Sequence, residues 1–361
     1  MKYKSWLNDS AYSGRLPNGC LHCSRGGKLV LLATGKCYAG CYYCPLSKRK
    51  KGKAVVFADE KKASNDDDIL VEAELINATG TGITGGDPLI DAEKTSKYIS
   101  MLKDHFGDRH HIHLYTACSD GQSISAVAKA GLDEIRFHPP IRLWGALKDS
   151  PYVSAIRLSN DLGLDTGIEI PSIPGEKERM GALIRAAVAL DVNFANLNEL
   201  EFSPTNWKAL RRRGFDVKDD VSNAVKGSQR LAIAIIRDSS DDISLHYCSS
   251  SFKDGIQLRR RIMRRGCNIR RPLDVLTRDG TLVMGIIESR KPKEMAERIS
   301  QRFGIPKRLI EGNAEMGRVE IAAWVLKDIA AELNLDSYII EEYPTADRLE
   351  VEREPIGSRR R

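Results

Sequence analysis

Six short strand-like runs alternate with helical stretches over the first two hundred residues, and that alternation leaves few folds open. Continuous apolar or alternating runs at residues 29–33, 80–84, 111–116, 134–138, 166–170 and 194–202 predict strands. Between them, residues 66–77, 94–106, 123–130, 151–162 and 176–190 have the spacing of helices. Strands joined by helices predict a parallel sheet. Six such units predict an α/β fold of the open, incomplete (β/α)6 barrel kind, not a closed barrel of eight. In such a barrel the site is built at the C-terminal strand ends. Beyond residue 207 the pattern becomes mixed, with helices at 228–237, 257–265 and 293–303 and strand pairs around 273–287 and 338–351. The expected organisation is an N-terminal extension over 1–28, an α/β core over 29–206 and an additional C-terminal α+β domain over 207–361. The last four residues, 358–361, read as a loose tail.

The strand ends carry the chemistry-bearing residues. The first run ends in Cys37-Tyr38-Ala39-Gly40-Cys41-Tyr42-Tyr43-Cys44, three cysteines at C-x₃-C-x₂-C. A structural zinc site takes four ligands in a closed tetrahedron. Three ligands in one tight loop leave one metal of a cubane cluster open, and an open metal is where chemistry happens. The second run ends in Gly85-Gly86-Asp87-Pro88, the third in Thr116 to Ser119, the fourth at His138 and the fifth at Ile170-Pro171. No apolar run reaches the roughly 18–20 residues that span a bilayer, and residues 1–6 lack the apolar core of a signal peptide. A cytoplasmic location is therefore expected, with no membrane association. Thiols stay reduced there. Of eight cysteines, six precede residue 120, which favours ligands over disulfides.

The triplet, with an aromatic Tyr43 before its last cysteine, resembles the radical S-adenosylmethionine (SAM) superfamily. Gly85-Gly86-Asp87-Pro88 is similar to that family's GGEP motif, with Asp in place of the usual Glu. Residues 167–175, Gly-Ile-Glu-Ile-Pro-Ser-Ile-Pro-Gly, resemble the fifth-strand segment of the pyruvate formate-lyase activating enzyme-related branch. The resemblance covers about residues 29–206. It implies that Cys37, Cys41 and Cys44 hold a [4Fe-4S] cluster whose fourth iron takes SAM, and that an electron from a reductant such as ferredoxin or flavodoxin cleaves SAM to a 5′-deoxyadenosyl radical. That radical takes hydrogen from a substrate. The resemblance further implies that Tyr43 packs beside the adenine and that Gly85, Gly86, Asp87 and Pro88 line the methionine moiety. By position, Thr116 and Ser119 suit ribose or carboxylate, and Ile170 and Pro171 flank the adenine. His138 suits the ribose or, equally, a core histidine.

Several features stand outside that motif set. Cys20-x₂-Cys23, with Cys248 and Cys267 or His246, is a candidate second metal site for zinc or an auxiliary Fe-S cluster, or a set of buried thiols. Glu169, an acid in an apolar run, either meets substrate or pairs with Arg136, and the pairing is the favoured reading. The net charge of +7 is concentrated in runs, above all in residues 253–271. Such a segment suits RNA, or an acidic protein substrate. Modification of RNA comes first and of protein second. The alternative is a non-catalytic, metal-stabilised nucleic-acid-binding protein.

Overall fold

The structure is a computed structural model that describes residues 3–219, 222–239 and 242–357; the tail at 358–361 lies outside the described residues. Seven parallel strands form its centre: β1 (Lys28–Thr34), β2 (Gly80–Gly85), β3 (His111–Thr116), β4 (Glu134–Phe137), β5 (Asp165–Ser172), β6 (Phe194–Glu199) and β7 (Ser244–Cys248). They pair in chain order from β1 to β7. Short antiparallel strands cover both edges, Ala11–Ser13 on β7 and Phe57–Ala58 on β1. The helices are α1 (Asn18–Ser24), before the first strand, and α2 (Asp66–Leu75), α3 (Ala92–Phe106), α4 (Gly121–Lys129), α5 (Tyr152–Asp161), α6 (Lys177–Val188) and α7 (Ser228–Asp238), between successive strands.

Side chains alternate along each strand, and the two faces differ in chemistry. Leu29 and Leu31 of β1, Ile135 and Phe137 of β4, and Ile168 and Ile170 of β5 are all buried. Their neighbours one residue away, Lys28, Val30, His138, Glu169 and Pro171, line a cavity instead. Burial of the apolar set beneath helices stabilises by about 25 cal/mol per Å² removed from water. The inner face is polar because it surrounds the cavity.

The chain divides into two compact units, Met1–Glu74 with Ala78–Leu258, and Leu75–Asn77 with Arg259–Arg361. The boundary expected at 206/207 therefore falls at 258/259. Its cause is β7, assigned from sequence to the C-terminal domain but hydrogen-bonded along β6 from Phe194 opposite Ser244 to Asn198 opposite Cys248. The N-terminal extension likewise belongs to the first unit, since Ala11–Ser13 pairs with β7.

The second unit contains α8 (Arg259–Ile269), β8 (Leu282–Glu288), α9 (Pro292–Phe303), β9 (Ile310–Asn313), β10 (Arg318–Ile321), α10 (Ala323–Leu333), β11 (Ser337–Glu342) and β12 (Glu350–Gly357). The sheet is antiparallel, in the order β9-β10-β8-β11-β12. Ile287, Val319, Ile321, Leu326 and Ile339 form its core. Three arginines of residues 253–271 are held by partners within this unit. Arg271 pairs with Asp274 at 2.8 Å and Glu311 at 3.2 Å, Arg259 with Asp279 at 3.1 Å, and Arg265 donates to the Pro344 carbonyl. Arg259, Arg260 and Arg270 are exposed, so the segment keeps part of the basic surface expected from sequence. Among the described residues no helix is long and apolar enough to cross a membrane.

Candidate active site

The loops leaving the C-terminal ends of the parallel strands open onto a cavity of about 640 Å³. Residues 35–53 form its largest wall, closed at the root by Gly35 N donating to Lys53 O at 2.9 Å and Gly52 N to Gly35 O at 2.7 Å. A Cβ on Gly35 would lie 1.7 Å from Lys50 O, so only glycine permits this closure. The loop carries Cys37, exposed, and Cys41 and Cys44, partly buried, and all three line the cavity. Burial holds the thiols of Cys37 and Cys41 above the ordinary cysteine pKa. They keep their protons until a cation displaces them.

The glycine pair at the end of β2 docks on the root of this loop. Gly86 N donates to Thr34 O at 2.7 Å and Asp87 N to Lys36 O at 2.7 Å. A Cβ on Gly85 would meet Thr34 O at 2.2 Å, and one on Gly86 would meet Lys36 O at 2.0 Å. The glycines are therefore required by the cysteine loop itself, a reason that the expectation of ligand contact did not supply. Asp87 turns inward. It accepts from Thr116 Oγ1 at 2.7 Å, Ala117 N at 3.0 Å and Leu89 N at 3.1 Å, tying the end of β2 to the end of β3. Burial raises its pKa, against the pull of these donors.

Tyr43 is buried, and its hydroxyl lies 2.9 Å from His138 Nε2. His138 Nδ1 lies 2.7 Å from the Glu169 carbonyl, which can only accept, so Nδ1 carries the proton and Nε2 accepts from Tyr43. Burial lowers the His138 pKa and keeps the ring neutral. Cys41 Sγ lies 3.9 Å from the same Nε2. The structure thus joins Tyr43 and His138, which the sequence reading had assigned separately to adenine and ribose.

Of the expected site residues, the cysteine triplet, Tyr43, Gly85, Gly86, Thr116, His138 and Pro171 line the cavity. Asp87, Pro88, Ser119 and Ile170 are not among its lining. Ile170 is buried on the opposite face of β5, because it is one residue out of phase with Glu169 and Pro171. The lining also includes Lys28, Tyr115, Asn198, Glu199, Glu201 and Lys253, which sequence reasoning missed. A polar residue at every second position of an otherwise apolar run, as in Glu134-Ile135-Arg136-Phe137-His138, was the available signal.

Glu169 is held as the favoured reading had it, with Arg136 Nη1 donating at 2.8 Å. Asn196 and Asn198 amides add donors at 2.9 and 2.8 Å. Arg136 is also paired with Glu134.

Among the described residues, no three His, Cys, Asp or Glu side chains are grouped to hold one metal ion. Of the second site expected from sequence, the structure brings Cys20 beside His246. Cys20, Cys23 and Cys248 are buried in the first unit, whereas Cys267 is exposed on α8 of the other. Cys20 Sγ has Arg136 Nη2 and His246 Nδ1 at 3.5 Å and Asn196 Nδ2 at 3.4 Å. Burial pushes its pKa up to about 11. The triplet is not judged by a single-ion grouping, because the three protein ligands of a cubane sit on three different irons.

A domain family of unknown function, DUF8061, matches residues 280–356. A Methanocaldococcus jannaschii protein is 39% identical over 360 residues, with 95% of this chain and 93% of that protein covered. Its name assigns it, provisionally, as a glycyl-radical enzyme activating enzyme. Solved structures resemble parts of the chain. The radical SAM methyltransferase TsrM from Kitasatospora setae, with cobalamin and a [4Fe-4S] cluster bound, is 16% identical over 55% of this chain and 40% of its own, with a TM-score of 0.37. The protein anSMEcpe with bound AdoMet and a Kp18Cys peptide is 13% identical over 47% of this chain and 50% of its own, with a TM-score of 0.36. With the curated relative matched almost end to end, the chain is a radical SAM enzyme. It belongs to the family of that archaeal relative, the activating-enzyme-like proteins. The alternative of a non-catalytic nucleic-acid-binding protein is thereby set aside.

Proposed function

We propose that this enzyme cleaves SAM reductively at the cavity and directs hydrogen abstraction at a substrate held below the cysteine loop. The first unit is then a partial radical SAM barrel extended to seven strands. The observation that carries the reading is that Cys37, Cys41 and Cys44 line one cavity together with Gly85 and Gly86. The donor set fits the cofactor. Three thiols are soft ligands for iron, and the root of the loop that carries them is docked on the glycine pair by backbone bonds. When bound, a [4Fe-4S] cluster and SAM supply one-electron cleavage of a carbon–sulfur bond and the 5′-deoxyadenosyl radical that abstracts hydrogen.

This chain's residues do the rest. The three thiols give up their protons on binding iron. Tyr43, fixed by His138, closes the wall beside Cys41 and keeps water from the site. Thr116 and Pro171 border the space for the nucleoside. Residues 253–271 keep exposed arginines that suit RNA, while others are engaged within the second unit. Protein modification fits the name of the relative. A cytoplasmic location and a ferredoxin or flavodoxin reductant belong to the same proposal.

Anaerobic reconstitution with iron, sulfide, dithionite and SAM is expected to yield 5′-deoxyadenosine, measured by liquid chromatography. The triple variant C37A/C41A/C44A is expected to lose it entirely. Product surviving in that variant would refute the proposal.

A further inference from the structure

Beneath the cysteine loop the cavity reaches down the inner face of the sheet to Lys28. Thr34 stands six positions after Lys28 on β1, about 20 Å along the strand. Lys28 Nζ lies 3.3 Å from Tyr115 Oη and 3.4 Å from His113 Nε2, and His113 Nε2 lies 3.2 Å from Tyr115 Oη. Both partners are uncharged: burial holds His113 well below the ordinary histidine pKa and raises that of Tyr115. Among the described residues Lys28 has no carboxylate within ion-pair distance, unlike the other interior cations. Arg136 has Glu134 and Glu169, and Lys253 has Glu201. Glu134 and Glu169 outnumber Arg136 by one charge, which offsets Lys28 in sum. What Lys28 lacks is a direct partner, because the Glu169 oxygens are taken by Arg136, Asn196 and Asn198. Burial works against its charge, but the neighbouring Cys23 and Tyr115 outweigh burial, and the Lys28 ammonium stays protonated and open to an anion. Gly82 makes the room: a Cβ there would lie 2.8 Å from His113 Nε2 and 3.1 Å from Lys28 Cδ.

We propose that Lys28 is a substrate-binding residue, and that it takes a carboxylate carried by the molecule whose hydrogen is abstracted. This rests on the radical SAM reading of the same cavity. Two of its N–H groups face Tyr115 and His113, which hold the ammonium in place, and the third is left for the ligand. One cation with neutral neighbours matches a singly charged carboxylate better than a doubly charged phosphate. The substrate therefore lies with its carboxylate at the floor of the cavity and its reacting carbon towards the cysteine loop.

The test is acetate binding to the full-length protein without SAM or reductant, followed by ¹³C NMR, with inorganic phosphate by ³¹P NMR as the second probe. Wild-type protein and K208M, changed at an exposed surface position, are expected to bind acetate alike. K28M is expected to bind about tenfold more weakly or worse, as loss of a charged hydrogen bond implies. Equal acetate binding by K28M overturns the proposal, as does phosphate bound more tightly than acetate in a Lys28-dependent way. Should K28M not fold, ¹³C-lysine-labelled wild-type protein serves, with the Lys28 signal assigned through K28R. That signal is expected to shift on acetate addition, and a fixed signal overturns the proposal. Failure here leaves the radical chemistry standing, while absence of 5′-deoxyadenosine from the wild type leaves the binding result standing.

Discussion

Glu169 shows at the residue scale how the inner face is held. Its two oxygens accept from Arg136, Asn196 and Asn198. Burial works against its charge, but Arg136 and the two amides outweigh burial, and the pKa falls below the ordinary glutamate value. The folded pKa lies below the unfolded one. The stabilisation is therefore present above about pH 4.3, the unfolded value, and is lost as pH falls through the folded pKa. E169Q keeps the shape and removes the charge. It is expected to cost about 2–3 kcal/mol at neutral pH, less than full loss of a buried partner, because Arg136 keeps Glu134. Urea unfolding measures this, and the acid-side fall in stability should be shallower in the variant. An unchanged acid limb would show that Glu169 carries no net charge in the fold.

At the scale of elements, β7 decides where the first unit ends. Leu245 and Tyr247 are fully buried, and β7 pairs with β6 on one side and with the N-terminal strand Ala11–Ser13 on the other. A chain ending at residue 206 would leave β6 as a bare edge with its apolar neighbours uncovered. It is expected to remain unfolded or to aggregate, whereas a chain ending at 258 keeps all seven parallel strands. Dispersion in amide NMR spectra distinguishes them, and a folded 1–206 would contradict the assignment of β7. The six strands were legible from their apolar runs and flanking helices. The seventh, Ser-Leu-His-Tyr-Cys, was not, because polar residues at alternate positions hide it. The same alternation hid the cavity wall in β1, where Lys28 stands beside a run of leucines.

At the scale of the whole molecule, two compact units imply unfolding that is not two-state. The candidate cofactor residues all lie in the first. A ligand that binds only the folded form stabilises the unit that holds it. Calorimetry of the iron-reconstituted protein is expected to show two transitions, with SAM raising one by several degrees and leaving the other in place. A single transition raised as a whole would mean that the units unfold as one.

The sequence by itself determined the family and the α/β class of the fold. Cysteine spacing and glycine pairs are local properties, and a strand–helix alternation constrains topology without reference to distant residues. Only the tertiary structure decided what the rest of the cavity is made of. Lys28 and Glu169 come from strands far apart in the chain, and their placement depends on the phase of each strand's alternation, where a shift of one residue exchanges the two faces. The role of Gly85 and Gly86 was decided there too, since what a Cβ would strike is the carbonyl of a residue fifty positions away.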